Sequence, residues 1–289
     1  MAKSPSHKFG QIIGDLLESV MEVYLVDIAK EFDLYLDKKR PRSARNGKKE
    51  VIWKDIKGNK HKLDFVFERK GSEEIIGDPV AFIEIAWRRY TKHSKNKAQE
   101  IQGAITPLIE KYSQFSPFYG AILGGEFTAP SITQLKSHGF KIVYFPYETI
   151  INALAEVNID AYWGEGTDDN DLQLRVEQFD NLSTQEVAEI IDHLLASNKL
   201  QLDDFSERLR NSITRQIVKV RIFSLHGIQT EVNSIQQAID YVTDYDETTT
   251  EAPIVKYEIK LVYNNEDVIE ASFKERSEAL SFLTTFLPV

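Results

Sequence analysis

Residues 61–97 read HKLDFVFERKGSEEIIGDPVAFIEIAWRRYTKHSKNK, and two runs within them, LDFVF and VAFIEIAW, have the apolar composition of buried strands. Each carries one carboxylate where an aliphatic side chain is expected: Asp64 in the first run and Glu84 in the second. An unpaired carboxylate in an apolar core costs roughly several kcal/mol. Two of them, about twenty residues apart, call for a cation or a substrate that repays the cost.

Working outward, the segment before these strands reads as helix. In GQIIGDLLESVMEVYLVDIAKEFDLYL the residues Ile12, Ile13, Leu16, Leu17, Val20, Met21 and Tyr24 recur at intervals of three and four. A basic loop follows, then VIWKDI, a Gly-Asn turn and HKLDFVFE, a pattern that predicts a hairpin. After VAFIEIAW, the stretch SKNKAQEIQGAITPLIEKY puts Ala98, Ile101, Ile105, Leu108, Ile109 and Tyr112 on one helical face. FYGAILGGEF reads as a strand, SITQLKSHG as a short helix stopped at Gly139, KIVYFPY as a strand and ETIINALAEV as a helix. A strand–helix–strand crossover of this kind implies an α/β fold, a mixed central sheet flanked by helices.

At YWGEGTDDNDLQ the composition turns acidic and polar. This predicts a boundary between a core at 1–165 and a smaller acidic α+β domain at 166–289. In the second part, Ser183 and Glu186 form a capping box ahead of a helix. The runs from Ile217 and from Ile254 share a strand–turn–strand–helix pattern, a ββα repeat.

The net charge of −10 argues against nucleic acid as a partner, but it is unevenly spread. Residues 1–160 hold 24 Lys+Arg against 21 Asp+Glu, and residues 161–289 hold 11 against 24. From Asp37 to Lys62 there are 11 basic residues and 3 acidic ones, directly ahead of Asp64. The absence of cysteine excludes disulfides and thiolate metal sites and agrees with a reducing cytoplasm. No run approaches the roughly 18 apolar residues that span a membrane, and the first residues lack a signal-peptide pattern. A cytoplasmic protein without membrane contact is expected.

Neighbouring strands would bring Asp64 and Glu84 together, and two close carboxylates favour a hard divalent ion such as Mg²⁺ between them. The alternative is a strand-end acid paired with Arg69 or Arg88. The order of elements, with Gly14 and Glu18 in GDLLES, Asp64 in HKLDFVFE and Glu84 in VAFIEIAW, resembles the PD-(D/E)xK nuclease superfamily over residues 10–157. Its second half is similar to restriction endonucleases of that group. The resemblance implies a restriction-endonuclease-like fold and Mg²⁺-dependent cleavage of double-stranded DNA in restriction or defence. Asp64 and Glu84 would be the metal ligands, Glu18 a further acid of the site, and a homodimer the form that cuts both strands.

The motif departs from the family where its lysine should stand, two residues past Glu84, because Ala86 is there. Lys95 or Lys97, at the start of the next helix, are the candidate replacements, and Arg88 could act only electrostatically. Expected DNA-binding residues are Lys38, Lys39, Arg40, Arg42 and Arg45 in the basic loop, together with Arg88, Arg89, Lys92 and Gln99. The missing lysine leaves a second reading open, a non-catalytic DNA-binding or regulatory protein on the same fold. A third is a protein-interaction module.

Overall fold

In a computed structural model of the chain, residues 4–224, 229–248 and 255–287 are described. The first long helix, α1 (Pro5–Glu31), is capped by the Ser4 hydroxyl and buries ten residues, from Phe9 through Leu16, Leu17 and Met21 to Ala29. It stops at Glu31, and Asp33 (φ 51°) turns the chain into a short strand, β1 (Tyr35–Lys38). Tyr35 and Leu36, which the sequence reading attached to the helix, therefore open a strand.

The hairpin expected next is present as β2 (Val51–Lys54) and β3 (Lys60–Leu63), paired from Val51↔Leu63 to Lys54↔Lys60. Its second strand does not run on unbroken. It ends at Leu63, and after Asp64 a separate strand, β4 (Phe65–Arg69), enters the central sheet. That sheet also contains β5 (Asp78–Arg88), β6 (Phe118–Gly125) and β7 (Lys141–Pro146), in the order β1-β4-β5-β6-β7. The β1–β4 and β4–β5 pairs are antiparallel, and β5–β6 and β6–β7 are parallel. This is the mixed α/β sheet the sequence implies. Parallel neighbours need crossovers, and α2 (Ser94–Lys111) and α3 (Ala129–Ser137) supply them. The helix α4 (Tyr147–Ala155) follows β7.

The helix α1 approaches the sheet closely at Gly124, where an added Cβ would lie 2.4 Å from Leu17 Cδ1. On the α2 side, Phe82, Ala86, Ala98, Ile101, Ile105 and Leu123 share one buried cluster with Val51, Trp53 and Leu63 of the hairpin.

The expected boundary at 165/166 differs from the division of the structure, which falls between Arg210 and Asn211. Two acidic helices, α5 (Asp169–Asp180) and α6 (Thr184–Ser197), belong to the first unit, as does most of a third, α7 (Lys199–Thr214), which carries three basic and three acidic residues and crosses the division. Their apolar stripes need a partner, and the first unit provides it. Phe205 of α7 packs edge-on against Phe118 of β6 with ring centroids 5.2 Å apart, and Asn198 donates to the Tyr144 carbonyl at 3.1 Å. The capping box of Ser183 and Glu186 is formed.

The second unit has a four-stranded sheet in the order β11-β10-β8-β9, formed by β8 (Ile217–Ser224), β9 (Gln229–Val232), β10 (Tyr257–Tyr263) and β11 (Val268–Phe273). Helices α8 (Ile235–Asp244) and α9 (Arg276–Thr284) follow each strand pair, so the ββα pattern occurs twice. Parts of SLHGIQ and of DETTTEAP between these elements lie outside the described residues. Among the described residues, no helix is long and apolar enough to cross a membrane.

Candidate active site

Asp64 occupies the single residue between β3 and β4, where the chain leaves the hairpin for the central sheet. Its Oδ2 accepts a hydrogen bond from the Ile85 N–H at 2.7 Å, which ties it to β5. One step along the antiparallel register from Phe65↔Ile83, it comes level with Glu84. Glu84 is 8% exposed. The residues two before and two after it, Phe82 and Ala86, lie in the buried cluster with Ala98 and Ile101 of α2, so Glu84 faces that side of the sheet. Its Oε1 is buried and has no hydrogen-bond partner.

The third acid, Glu18, comes from the middle of α1 and is half-buried. Burial raises its carboxyl to about 7, helped by the charges of Asp64 and Asp15 and opposed by Lys39. Burial also raises Asp64, against the Ile85 hydrogen bond and the charges of Lys97 and Lys39. Glu84 is raised well above the ordinary range, first by burial and then by Asp64, with Glu18 adding to it and Lys97 opposing. Three elements far apart in sequence thus place their carboxylates within mutual electrostatic reach. Each one makes the ionised form of the others less favourable.

Two cations counter them. Lys97 of α2 is half-buried and acts on both Asp64 and Glu84, and it also pairs with Glu100 at 3.4 Å. Lys95 is exposed and is absent from the electrostatics of all three acids. The helical phase carried this signal. At 100° per residue, Lys97 lies about 60° from the centre of the stripe formed by Ala98, Ile101, Ile105 and Leu108, whereas Lys95 lies about 100° away. The second cation is Lys39, exposed just past β1, whose charge reaches Glu18 and Asp64. Sequence reasoning had assigned it to the DNA backbone, not to the carboxylates.

Most of the other expected DNA contacts are occupied within the fold. Arg42 is fully buried, donating to both Glu68 oxygens at 2.7 and 2.8 Å, and pairs with Asp37 at 2.8 Å. Arg45 is buried as well and pairs with Asp37. Lys38 is bonded to Glu22, and Arg40 to Glu73 at 2.8 Å. The run that reads as a solvated, phosphate-binding loop is therefore an internal ion-pair network, because acids on β1, β4 and the following turn neutralise it.

Arg89 stacks 4.0 Å from the Tyr147 ring centroid and donates through Nε to the Trp163 carbonyl at 2.7 Å. Lys92 pairs with Glu165, and Arg88 lies 3.6 Å from Glu100. Gln99 is exposed on α2.

Among the described residues, no group of three or more His, Asp or Glu side chains is arranged to hold a metal ion. The donor set that suits a hard cation is smaller: Asp64 and Glu84, both with raised carboxyls, and Glu84 with a buried, unpartnered Oε1. One or two carboxylates plus substrate oxygens is the usual complement for Mg²⁺.

No family model and no curated protein matches this chain. Among solved structures it is similar to a protein of unknown function, AF1548, with 12% identity and a TM-score of 0.27, over 65% of this chain and 99% of that one.

Proposed function

We propose that this protein is a Mg²⁺-dependent DNA endonuclease of the PD-(D/E)xK type, acting on double-stranded DNA in restriction or defence. The observation that carries the reading is the convergence of Glu18, Asp64 and Glu84 with Lys97, around a buried carboxylate oxygen that has no partner. A fold does not keep repelling acids in its interior for stability, since apolar residues of similar volume serve better there. A site that receives a cation and a phosphodiester gives them a use.

Asp64 and Glu84 would hold the ion, which when bound supplies charge to the scissile phosphate and lowers the pKa of a coordinated water. The chain's own groups do the rest. Glu18, with its carboxyl near 7, holds or accepts a proton at neutral pH. Lys97 takes the place of the motif lysine: its ammonium already opposes the Asp64 and Glu84 charges and is placed to stabilise charge developing on a phosphate. Ala86 does not vacate the site by accident, because it is 2% exposed in the cluster beneath α2, where a lysine would have to be buried. Cutting both strands asks for two such sites, and hence for a homodimer.

The test is incubation of the full chain with mixed-sequence duplex DNA and Mg²⁺, alongside Asp64→Asn and Glu84→Gln. Cleavage by the parent that both variants lose, with folding intact, supports the reading. Cleavage at the parental rate by either variant overturns the site. Duplex binding without cleavage under any divalent ion favours the second reading, a DNA-binding protein on a nuclease fold, for which the missing motif lysine at Ala86 is the specific sign.

A further inference from the structure

With the arginines of the basic loop folded into internal ion pairs, the positive charge left at the surface of this region belongs to Lys39, Lys48 and Lys49 and to the β2–β3 ribbon, which gathers its lysines on one element. Antiparallel pairing sets Lys54 opposite Lys60 and Ile52 opposite Lys62. These side chains point away from the core, while Val51, Trp53 and Leu63 alternate with them into it. Lys57 sits at the exposed tip. The ammonium groups of Lys54, Lys57 and Lys60 have no carboxylate partner among the described residues, whereas Lys62 pairs with Glu50 at 2.8 Å in an exposed contact.

The ribbon is rigid on its inner side and at its turn. Trp53 packs edge-on against Phe82 and Tyr112 at 5.7 and 5.3 Å, and Lys111 Nζ donates to the Lys54 carbonyl at 2.7 Å. Asp55 is 3% exposed and accepts hydrogen bonds from the backbone N–H groups of Lys57 and Asn59, at 2.8 and 2.9 Å. His61 Nε2 lies 3.0 Å from the same carboxylate. The bonds from His61 and from the backbone hold the Asp55 carboxyl below the usual range, so it stays ionised, and the three lysines around it outnumber it. Gly58 (φ 86°) takes the left-handed conformation that the reversal requires. Ile56, 59% exposed, stands at the tip with nothing to cover it.

We propose that the outward face of this ribbon grips the phosphate backbone of duplex DNA and delivers the duplex to the carboxylates. The inference rests on the DNA reading above and names the element that carries it. Two features favour this partner. The unpartnered ammonium groups of Lys54, Lys57 and Lys60 gather on one exposed turn and its flanks, a complement to the closely spaced charges of a phosphate backbone. The ribbon also ends at Leu63, and the next residue is Asp64, so its position relative to the site is set by one covalent step. A bound duplex cannot shift along the ribbon without shifting at the carboxylates.

The experiment compares the full chain with a Lys54→Gln/Lys57→Gln/Lys60→Gln variant, and with the same three positions changed to arginine. Anisotropy of a labelled mixed-sequence duplex is followed in EDTA from about 50 to 200 mM salt, where each phosphate contact contributes about 0.9 to the salt slope. The glutamine variant is expected to bind at least tenfold more weakly, with a slope lower by about two to three. The arginine variant should bind as the parent does, and all three should melt together.

Equal affinity and slope in parent and glutamine variant overturn the ribbon's role while leaving the nuclease reading standing. Loss of duplex binding in the glutamine variant, with a parent that cleaves nothing, sustains the ribbon and sinks the nuclease reading. A parent that ignores duplex DNA, or prefers single-stranded RNA or an acidic protein, overturns both.

Discussion

Replacing Glu18 with glutamine should stabilise the protein in alkaline solution and leave it unchanged in acid. The Glu18 carboxyl is raised from 4.5 to about 7, chiefly by burial and then by Asp64. At about 1.4 kcal/mol per pH unit this corresponds to roughly 3 kcal/mol. Glu18 is only partly buried, and solvent screening reduces the figure to about 1–2 kcal/mol. For a group whose folded pKa is raised, the stabilising contribution is complete below the unfolded value near 4.5. It is lost as the pH rises through the folded value near 7.

Glutamine does not titrate, so the gap between variant and parent should be absent at pH 4, open between pH 4.5 and 7, and be full by pH 8.5. A unit of this size moves its Tm by about 2–4 °C per kcal/mol, so the expected rise at pH 8.5 is about 2–8 °C. The assay is thermal unfolding by circular dichroism across that pH range, without divalent ions. Adding Mg²⁺ at pH 8.5 should raise the parent's Tm more than the variant's, since a cation relieves the repulsion that the substitution has already reduced. A gap independent of pH, or a variant less stable than the parent at pH 8.5, would refute the clustered-carboxylate argument.

Lys97→Ala should cut the cleavage rate by about 10²–10³, the cost of losing one preorganised donor to developing charge, while Lys95→Ala stays near the parental rate; single-turnover kinetics on duplex DNA distinguish them. Ala86→Lys should not restore function, and urea unfolding should show a loss of about 1–3 kcal/mol from overpacking the seam under α2. Arg42→Met leaves Glu68 and Asp37 buried without their shared partner. It should cost about 3–5 kcal/mol in the same assay, with no change in the salt slope of DNA binding for whatever fraction stays folded.

The alternation of apolar residues in two strands made Asp64 and Glu84 anomalous before any coordinate was known, and the three-and-four spacing defined α1 and α2. These are local properties, written in neighbouring residues. The ends of elements were less legible. Tyr35 and Leu36 carry the same apolar character as the helix before them, and what separates them is a left-handed turn at Asp33 and pairing with β4, thirty residues on. The break at Asp64 was hidden for the same reason, since its two sides belong to different sheets.

The basic run failed most instructively. KKRPRSARNGKK looks solvated because its partners, Asp37, Glu68 and Glu73, are either outweighed locally or far along the chain. Charge counted along a sequence cannot show which charges cancel across a fold. By itself the sequence determined the α/β class, the hairpin, the ββα repeat and the two strand acids, because periodicity and burial act over a few residues, while Glu18 followed from the resemblance carried by GDLLES. The tertiary structure alone decided that Lys97 rather than Lys95 faces the acids, that the charge of Lys39 reaches Glu18 and Asp64, and which lysines stay free for a partner. Those outcomes depend on how elements distant in sequence pack, and electrostatics acts through space, without regard to order along the chain.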